Sequence, residues 1–192
     1  MQEAVRQRGR LLLRPILGLL AKVRVPPTLV TMLSLPTSAI SGWLFAIGSF
    51  KWAGVVAAVA GLCDSLDGEL ARMTGRSSAA GAFLDSVSDR LAETFVFAGM
   101  FWYYQARSGA LGLLVLLALS LSLMVSYVRA RAEGLGRDCR VGLFERPVRV
   151  IVVVSGALLL GPKLMPWALL VIAAGGLATV FQRVVYVLRQ IG

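Results

Sequence analysis

With 192 residues, 57% of them hydrophobic, 16% charged and a mean hydropathy of +0.77, the chain is too apolar for an ordinary soluble domain and is expected in a bilayer. It contains no histidine, which excludes histidine acid–base chemistry, histidine-paired nucleophiles and most zinc sites. Its net charge of +10 suits an anionic membrane surface, and its two cysteines, Cys63 and Cys139, lack CxxC spacing and make no disulfide framework.

Residues 1–24 are basic, through Arg6, Arg8, Arg10, Arg14, Lys22 and Arg24, while Leu12, Ile16, Leu19, Leu20 and Val23 share one helical face. That pattern predicts an amphipathic helix lying in the headgroup plane. Arg14 and Pro15 interrupt the apolar run, and no small-residue cleavage site follows, which argues against a signal peptide. Six apolar segments follow, at about 28–49, 52–73, 79–105, 109–134, 146–161 and 165–187, each near the length a bilayer core requires. Short turns are expected at Gly48–Lys51, Ala106–Ala110 and Gly161–Pro166, with one longer loop at about 135–145. No internal repeat is evident. The expected fold is all-α: a single integral-membrane domain over 1–192, with six transmembrane helices and an N-terminal interfacial helix.

The cations set the orientation. If both termini face the cytoplasm, the outer loops hold only Lys51, Arg107 and Lys163, and the other Lys and Arg lie at the inner side. The protein is thus expected in the cell membrane, with its polar site open to the cytosol.

That site is the stretch from residue 64 to 89. Asp64 and Asp67 are spaced i, i+3, and Asp85 and Asp89 i, i+4, so each pair projects from one face of its helix. Four carboxylates in low dielectric repel one another unless a hard divalent cation, or two, takes their oxygens. A transporter would stagger its ionisable groups through the membrane, whereas these cluster at one end beside arginines. The pattern therefore predicts a metal site acting on a phosphate, with an ion pathway as the rival reading. Glu69 points away from the Asp64–Asp67 face. Glu93 continues the Asp85–Asp89 stripe one turn deeper and is expected to be a hydrogen-bonded packing acid. Gly68, Ala71 and Gly81 leave room for close helix approach or a ligand against the backbone, and Arg72 offers a fork to phosphate.

A second polar set lies in the other half, in Ser126-Tyr-Val-Arg-Ala-Arg-Ala-Glu-Gly134, in Glu145-Arg-Pro-Val-Arg149 and at Gln182-Arg183. Arg129, Arg149 and Arg183 come from three different spans and can converge on one anionic ligand. For Arg137, Arg140 and Arg189, headgroup contacts are the simpler reading.

The acidic stretch resembles the CDP-alcohol phosphotransferase family, whose motif is D-x2-D-G-x2-A-R-x8-G-x3-D-x3-D. Asp64, Asp67, Gly68, Ala71, Arg72, Gly81, Asp85 and Asp89 meet it at every position, and the six-span organisation extends the resemblance over essentially the whole chain. It implies transfer of a phosphatidyl group from a CDP-linked lipid to an alcohol, with release of CMP and with two Mg²⁺ or Mn²⁺ ions. On that reading Asp64, Asp67, Asp85 and Asp89 surround the metals, and Asp89 is the general base. Gly68, Arg72, Ser78 and Gly81 face the CDP-lipid, and Thr28, Leu29, Val30 and Thr31 close it from span one. Within the family, the arginine-bearing runs are similar to those of phosphatidylinositol phosphate synthases and their archaetidylinositol relatives. This implies inositol 1-phosphate as acceptor, held by Arg129, Arg149 and Arg183. The departures are Arg129, where Lys is often found, and Val148, where an acid is common. Glycerol 3-phosphate is the alternative acceptor, and an ether lipid the alternative donor. The resemblance also implies a homodimer and no nucleic-acid partner.

Overall fold

The computed structural model describes residues 27–73 and 78–191, except for the side chains of 27–33 and 64–73. The described residues form helices α1 (Pro27–Ala46), α2 (Phe50–Met73), α3 (Ala79–Gln105), α4 (Gly109–Gly134), α5 (Arg146–Ser155) and α6 (Gly161–Ile191), with a π-helical turn at Gly156–Leu160. No strand occurs among them. The proposed interfacial helix at 1–24 lies outside the described residues.

The helices form because long apolar runs leave backbone N–H and C=O groups no partner in lipid except their own segment. Among the described residues two stretches, Gly109–Gly134 and Arg146–Ile191, are long and apolar enough to cross a membrane, and Phe50–Cys63 is a shorter apolar helix. Many large apolar side chains face outward rather than into the bundle. All four tryptophans are among them: Trp43, Trp52, Trp102 and Trp167 are 61 to 67% exposed. In water so much apolar surface would drive association; against acyl chains it is at home.

Helix α1 packs on α2 and α3, α3 on α4, and α4 on α6, while the π turn fills the space between α2 and α6. Small residues set the closest crossing. A Cβ on Gly99 would lie 1.8 Å from the Gly42 carbonyl oxygen, and one on Gly42 2.3 Å from that of Phe95, so α1 and α3 meet backbone to backbone. The α6 stripe Met165, Ala168, Leu169, Ile172, Ala173, Gly176, Thr179 and Arg183 follows helical spacing and is buried along its whole length.

At the end away from the acids, Phe45, Phe50, Tyr103 and Tyr104 pack edge to face at 4.9 to 5.9 Å between rings. The Tyr104 hydroxyl donates to the Pro162 carbonyl at 2.6 Å. The Arg107 guanidinium lies 3.5 Å over the Tyr103 ring. This end is closed by side chains, which leaves the opposite end for a polar cavity.

One expectation needs correction. The short turn predicted at Gly161–Pro166 is helix: α6 begins at Gly161 and carries Pro166 within it. The reversal is made earlier, by the π turn and by Gly161, whose φ of +64° only glycine adopts without strain. Gly156 then abuts Met165 and Ala168, too close for any side chain of its own. The loop at 135–145 is as expected, and it is held down on α6. The Phe144 N–H donates to Thr179 Oγ1 at 3.2 Å, and Gln190 Nε2 to the Asp138 carbonyl at 3.1 Å.

Candidate active site

A cavity of about 490 Å³ opens at the end of the bundle where the acidic stretch lies, between α3, α4, the start of α5 and α6. Helix α3 supplies Asp85, Ser86, Asp89, Arg90 and Glu93 to its wall. The i, i+4 spacing of the two aspartates puts both on the cavity side, as the sequence predicts. Ser78 caps this helix, its hydroxyl accepting from the Gly81 N–H at 3.0 Å. The cap fixes where α3 starts, and hence the height of Asp85 and Asp89 in the bundle. Asp64, Asp67, Gly68, Ala71 and Arg72 stand on the last turns of α2, and Thr28, Leu29, Val30 and Thr31 on the first turns of α1. Their side chains lie outside the described residues.

The predicted arginines do converge. Arg129, Arg149 and Arg183, from α4, α5 and α6, line the same cavity. They are not equivalent. Arg149 is 1% exposed and is locked by a two-point pair with Glu93, Nε to Oε1 at 2.8 Å and Nη2 to Oε2 at 3.1 Å. Its Nη1 donates to the Phe144 carbonyl at 2.9 Å, so three of its five N–H groups are committed to the wall. Arg183, 2% exposed, donates to the carbonyls of Val141 and Val125 at 2.8 and 2.6 Å and reaches Glu145 at 3.5 Å. Arg129 is 42% exposed and pairs with Glu133 on its own helix at 2.8 Å. Glu93 is the packing acid expected from its place one turn below Asp89.

Arg146, absent from the predicted contact set, also faces the cavity, with its Nη1 2.6 Å from Asp89 Oδ1. Arg90 turns back along α3 to the Ser86 carbonyl and donates to the Ser86 hydroxyl at 2.9 Å. The signal for Arg146 is its i, i+3 spacing from Arg149 at the head of one helix. What hid it is that the run Glu145-Arg-Pro-Val-Arg149 can be read equally well as positive-inside charge.

Five carboxylates (Asp85, Asp89, Glu93, Glu133, Glu145) and five arginines (Arg90, Arg129, Arg146, Arg149, Arg183) line the cavity, so its described wall is electrically balanced. Its donors are all oxygens, with no imidazole or thiolate, which fits a hard dication rather than zinc or copper. Among the described residues no group of three or more potential ligands gathers by itself. Asp85 and Asp89 are the two aspartates of the acidic stretch whose side chains are described, and the last turns of α2 carry the other two.

A CDP-alcohol phosphatidyltransferase family model matches residues 24–184. The chain belongs to that family. Among its relatives, archaetidylinositol phosphate synthase of Methanothermobacter thermautotrophicus is 38% identical over 174 residues, covering 88% of this chain and 87% of that protein. Phosphatidylinositol phosphate synthase of Mycobacteroides abscessus is 36% identical, covering 88% of this chain and 80% of that one. The crystal structure of the Mycobacterium tuberculosis phosphatidylinositol phosphate synthase with CDP-DAG bound superposes with a TM-score of 0.81 at 31% identity, covering 90% of this chain and 92% of that one. The same enzyme in complex with manganese and citrate gives a TM-score of 0.80 at 32% identity, covering 90% and 87%. Membership of this family sets the ion-pathway reading aside.

Proposed function

We propose that the chain transfers the phosphatidyl group of a CDP-linked diacylglycerol to inositol 1-phosphate, giving phosphatidylinositol phosphate and CMP in a divalent-metal-dependent reaction. The observation that carries the reading is the meeting in one cavity of Asp85 and Asp89 with Arg129, Arg149 and Arg183. An acceptor that already bears a phosphate needs guanidinium donors such as these; free inositol or serine does not. The names of the relatives, and the CDP-DAG and manganese of the solved structures, support the same choice.

Asp64 and Asp67 complete the metal set with Asp85 and Asp89, and Mg²⁺ or Mn²⁺, two ions per site, fits the charge. Four aspartates against two dications balance at zero net charge, and Arg72 adds one positive charge toward the donor pyrophosphate. When bound, the ions neutralise the pyrophosphate oxygens as the bond to CMP breaks. Asp89 takes the proton of the attacking hydroxyl. Gly68, Arg72, Ser78 and Gly81 face the nucleotide, with Thr28, Leu29, Val30 and Thr31 closing it from α1. Arg149 and Arg183 form a rigid floor for the acceptor phosphate, and Arg129, the more exposed of the three, closes over it.

The same reading makes 1–192 one domain with six spans, an interfacial helix at 1–24, both termini and the cavity at the cytoplasm, and a homodimer as the working unit. The distribution of Lys and Arg supports this orientation, and the four tryptophans near the turns at the far end suit a membrane interface there. The test is CMP release by the purified protein with Mg²⁺ and CDP-diacylglycerol or its archaeal ether counterpart, offered inositol 1-phosphate, glycerol 3-phosphate, inositol or serine. Inositol 1-phosphate is expected to be used fastest. Preference for glycerol 3-phosphate would overturn the acceptor assignment and leave the reaction class standing.

A further inference from the structure

We infer that the outer face of α6, beside the loop that precedes α5, holds an anionic phospholipid of the surrounding membrane. Arg140 and Arg189 take its phosphate, and an apolar trough below them takes the start of an acyl chain. The inference goes beyond the reaction above and needs only that this end of the bundle meets a headgroup layer.

The place is a groove of about 550 Å³ between residues 140–143 and the last turns of α6. It shares no lining residue with the active-site cavity, so it is a second space rather than an extension of the first. Phe181, Val185, Tyr186 and Arg189 recur at helical spacing and line it from α6, while Arg140 and Leu143 line it from the loop. Its charge is unlike that of the cavity. There acids and arginines are equal in number; here two arginines stand in a wall without a carboxylate. The nearest acid in the chain is Asp138, which meets Arg140 Nε at 3.2 Å. That pair is 80% exposed on the arginine side and holds the guanidinium only weakly.

The order of residues along the groove is the order of groups in one lipid leaflet. Phe181 and Arg189 are eight residues apart on α6, about 12 Å along its axis. That length covers a headgroup layer and the first carbons beneath it. Phe181 and Leu143, each 69% exposed, offer apolar surface at the deeper end, and Tyr186 stands between them and the arginine level as aromatic residues do at an interface. The loop wall is preformed. Gly142, at φ +102°, lies so close to α6 that a Cβ on it would fall 2.3 Å from Thr179 Cγ2, and the Val141 carbonyl accepts from Arg183 Nε at 2.8 Å.

Charge selects the occupant. The basic stretch 1–24 carries the same sign as the groove, and a second copy of the chain brings a net charge of +10. A zwitterionic lipid carries its own cation to the arginines. An anionic phospholipid gives both guanidinium groups a partner and lays its chain in the trough.

The experiment is native mass spectrometry of the full-length protein in detergent, titrated with phosphatidylglycerol or phosphatidylcholine. The proteins are wild type, R140Q, R189Q, the double variant, V185W and R137Q, the last removing a cation of the same loop from outside the groove wall. Thermal melting, rather than CMP release, verifies that each is folded, so the result does not depend on the proposed reaction. Wild type is expected to prefer phosphatidylglycerol by roughly twentyfold, each single groove variant by about fivefold, and the double variant not at all. V185W keeps the charges but fills the trough, and is expected to retain phosphatidylglycerol about fivefold less than wild type; R137Q stays within about twofold of wild type. An equal preference in wild type and the double variant would overturn the site. So would a loss in R137Q as large as in R189Q, which would mark diffuse surface charge, or undiminished retention by V185W. Loss of a protein dimer in place of lipid adducts would give the groove to a second chain and overturn the inference as well.

Discussion

On the proposed function Asp89 carries the most chemistry of any residue, since it both neighbours a metal and accepts a proton. Its amide retains the shape and loses the base, so Asp89→Asn is expected to keep much of the nucleotide affinity while turnover falls by about 10²–10⁴-fold. Nucleotide binding by fluorescence and CMP release on one preparation check this, and preserved turnover would remove Asp89 from the role. Glu93 makes a different kind of claim. It is the two-point partner of a guanidinium that is 1% exposed, so Glu93→Ala strands a buried charge. A loss of about 3–5 kcal/mol in unfolding free energy is expected, seen as a large drop in melting temperature in detergent. Both acids were legible in the sequence, because i, i+4 spacing on one helix is enough to order them by depth. The partners of Arg149, Arg183 and Arg146 were not. They come from other helices and from the 135–145 loop, and a chain read one segment at a time carries no signal for a pairing across 56 residues, as between Glu93 and Arg149.

At the level of the helices, apolar length alone placed α1 to α4 and the loop before α5, because lipid forces the backbone to satisfy itself. It misplaced the reversal between α5 and α6, where a run of leucines and a glycine continues the helical pattern and the turn is made by one π-helical stretch and one left-handed residue. The packing of α1 on α3 carries the sharpest prediction at this scale. A Cβ on Gly99 would sit 1.8 Å from backbone, not from a side chain that can swing aside. Gly99→Ala is therefore expected to cost about 1–3 kcal/mol or more, and to shift α3, and the aspartates on it, relative to α1. A melting temperature and a CMP-release rate both equal to wild type would show that the two helices are not held in this contact. Gly109 is the control: nothing lies within 4 Å of its added Cβ, so Gly109→Ala should leave both measurements nearly unchanged.

Over the whole molecule, charge and aromatic placement divide the bundle into two ends with different work. One is plugged by edge-to-face rings and ringed by exposed tryptophans. The other holds the charged cavity, whose described wall carries as many acids as arginines. A balanced cavity has little pull on a phosphorylated acceptor until dications are added. Chelation of metal is thus expected to abolish inositol 1-phosphate binding as well as turnover, which equilibrium binding of labelled acceptor with and without EDTA would reveal. Acceptor affinity that survives EDTA would mean the arginines act without the metal. The central claim is narrower: the aspartates at the ends of α2 and α3 share divalent ions. Anomalous diffraction from crystals of the protein grown with Mn²⁺ tests it most directly. The account predicts peaks about 2 Å from carboxylate oxygens of Asp64, Asp67, Asp85 and Asp89. Manganese bound elsewhere, or on the α3 pair with the α2 aspartates turned away, would contradict it.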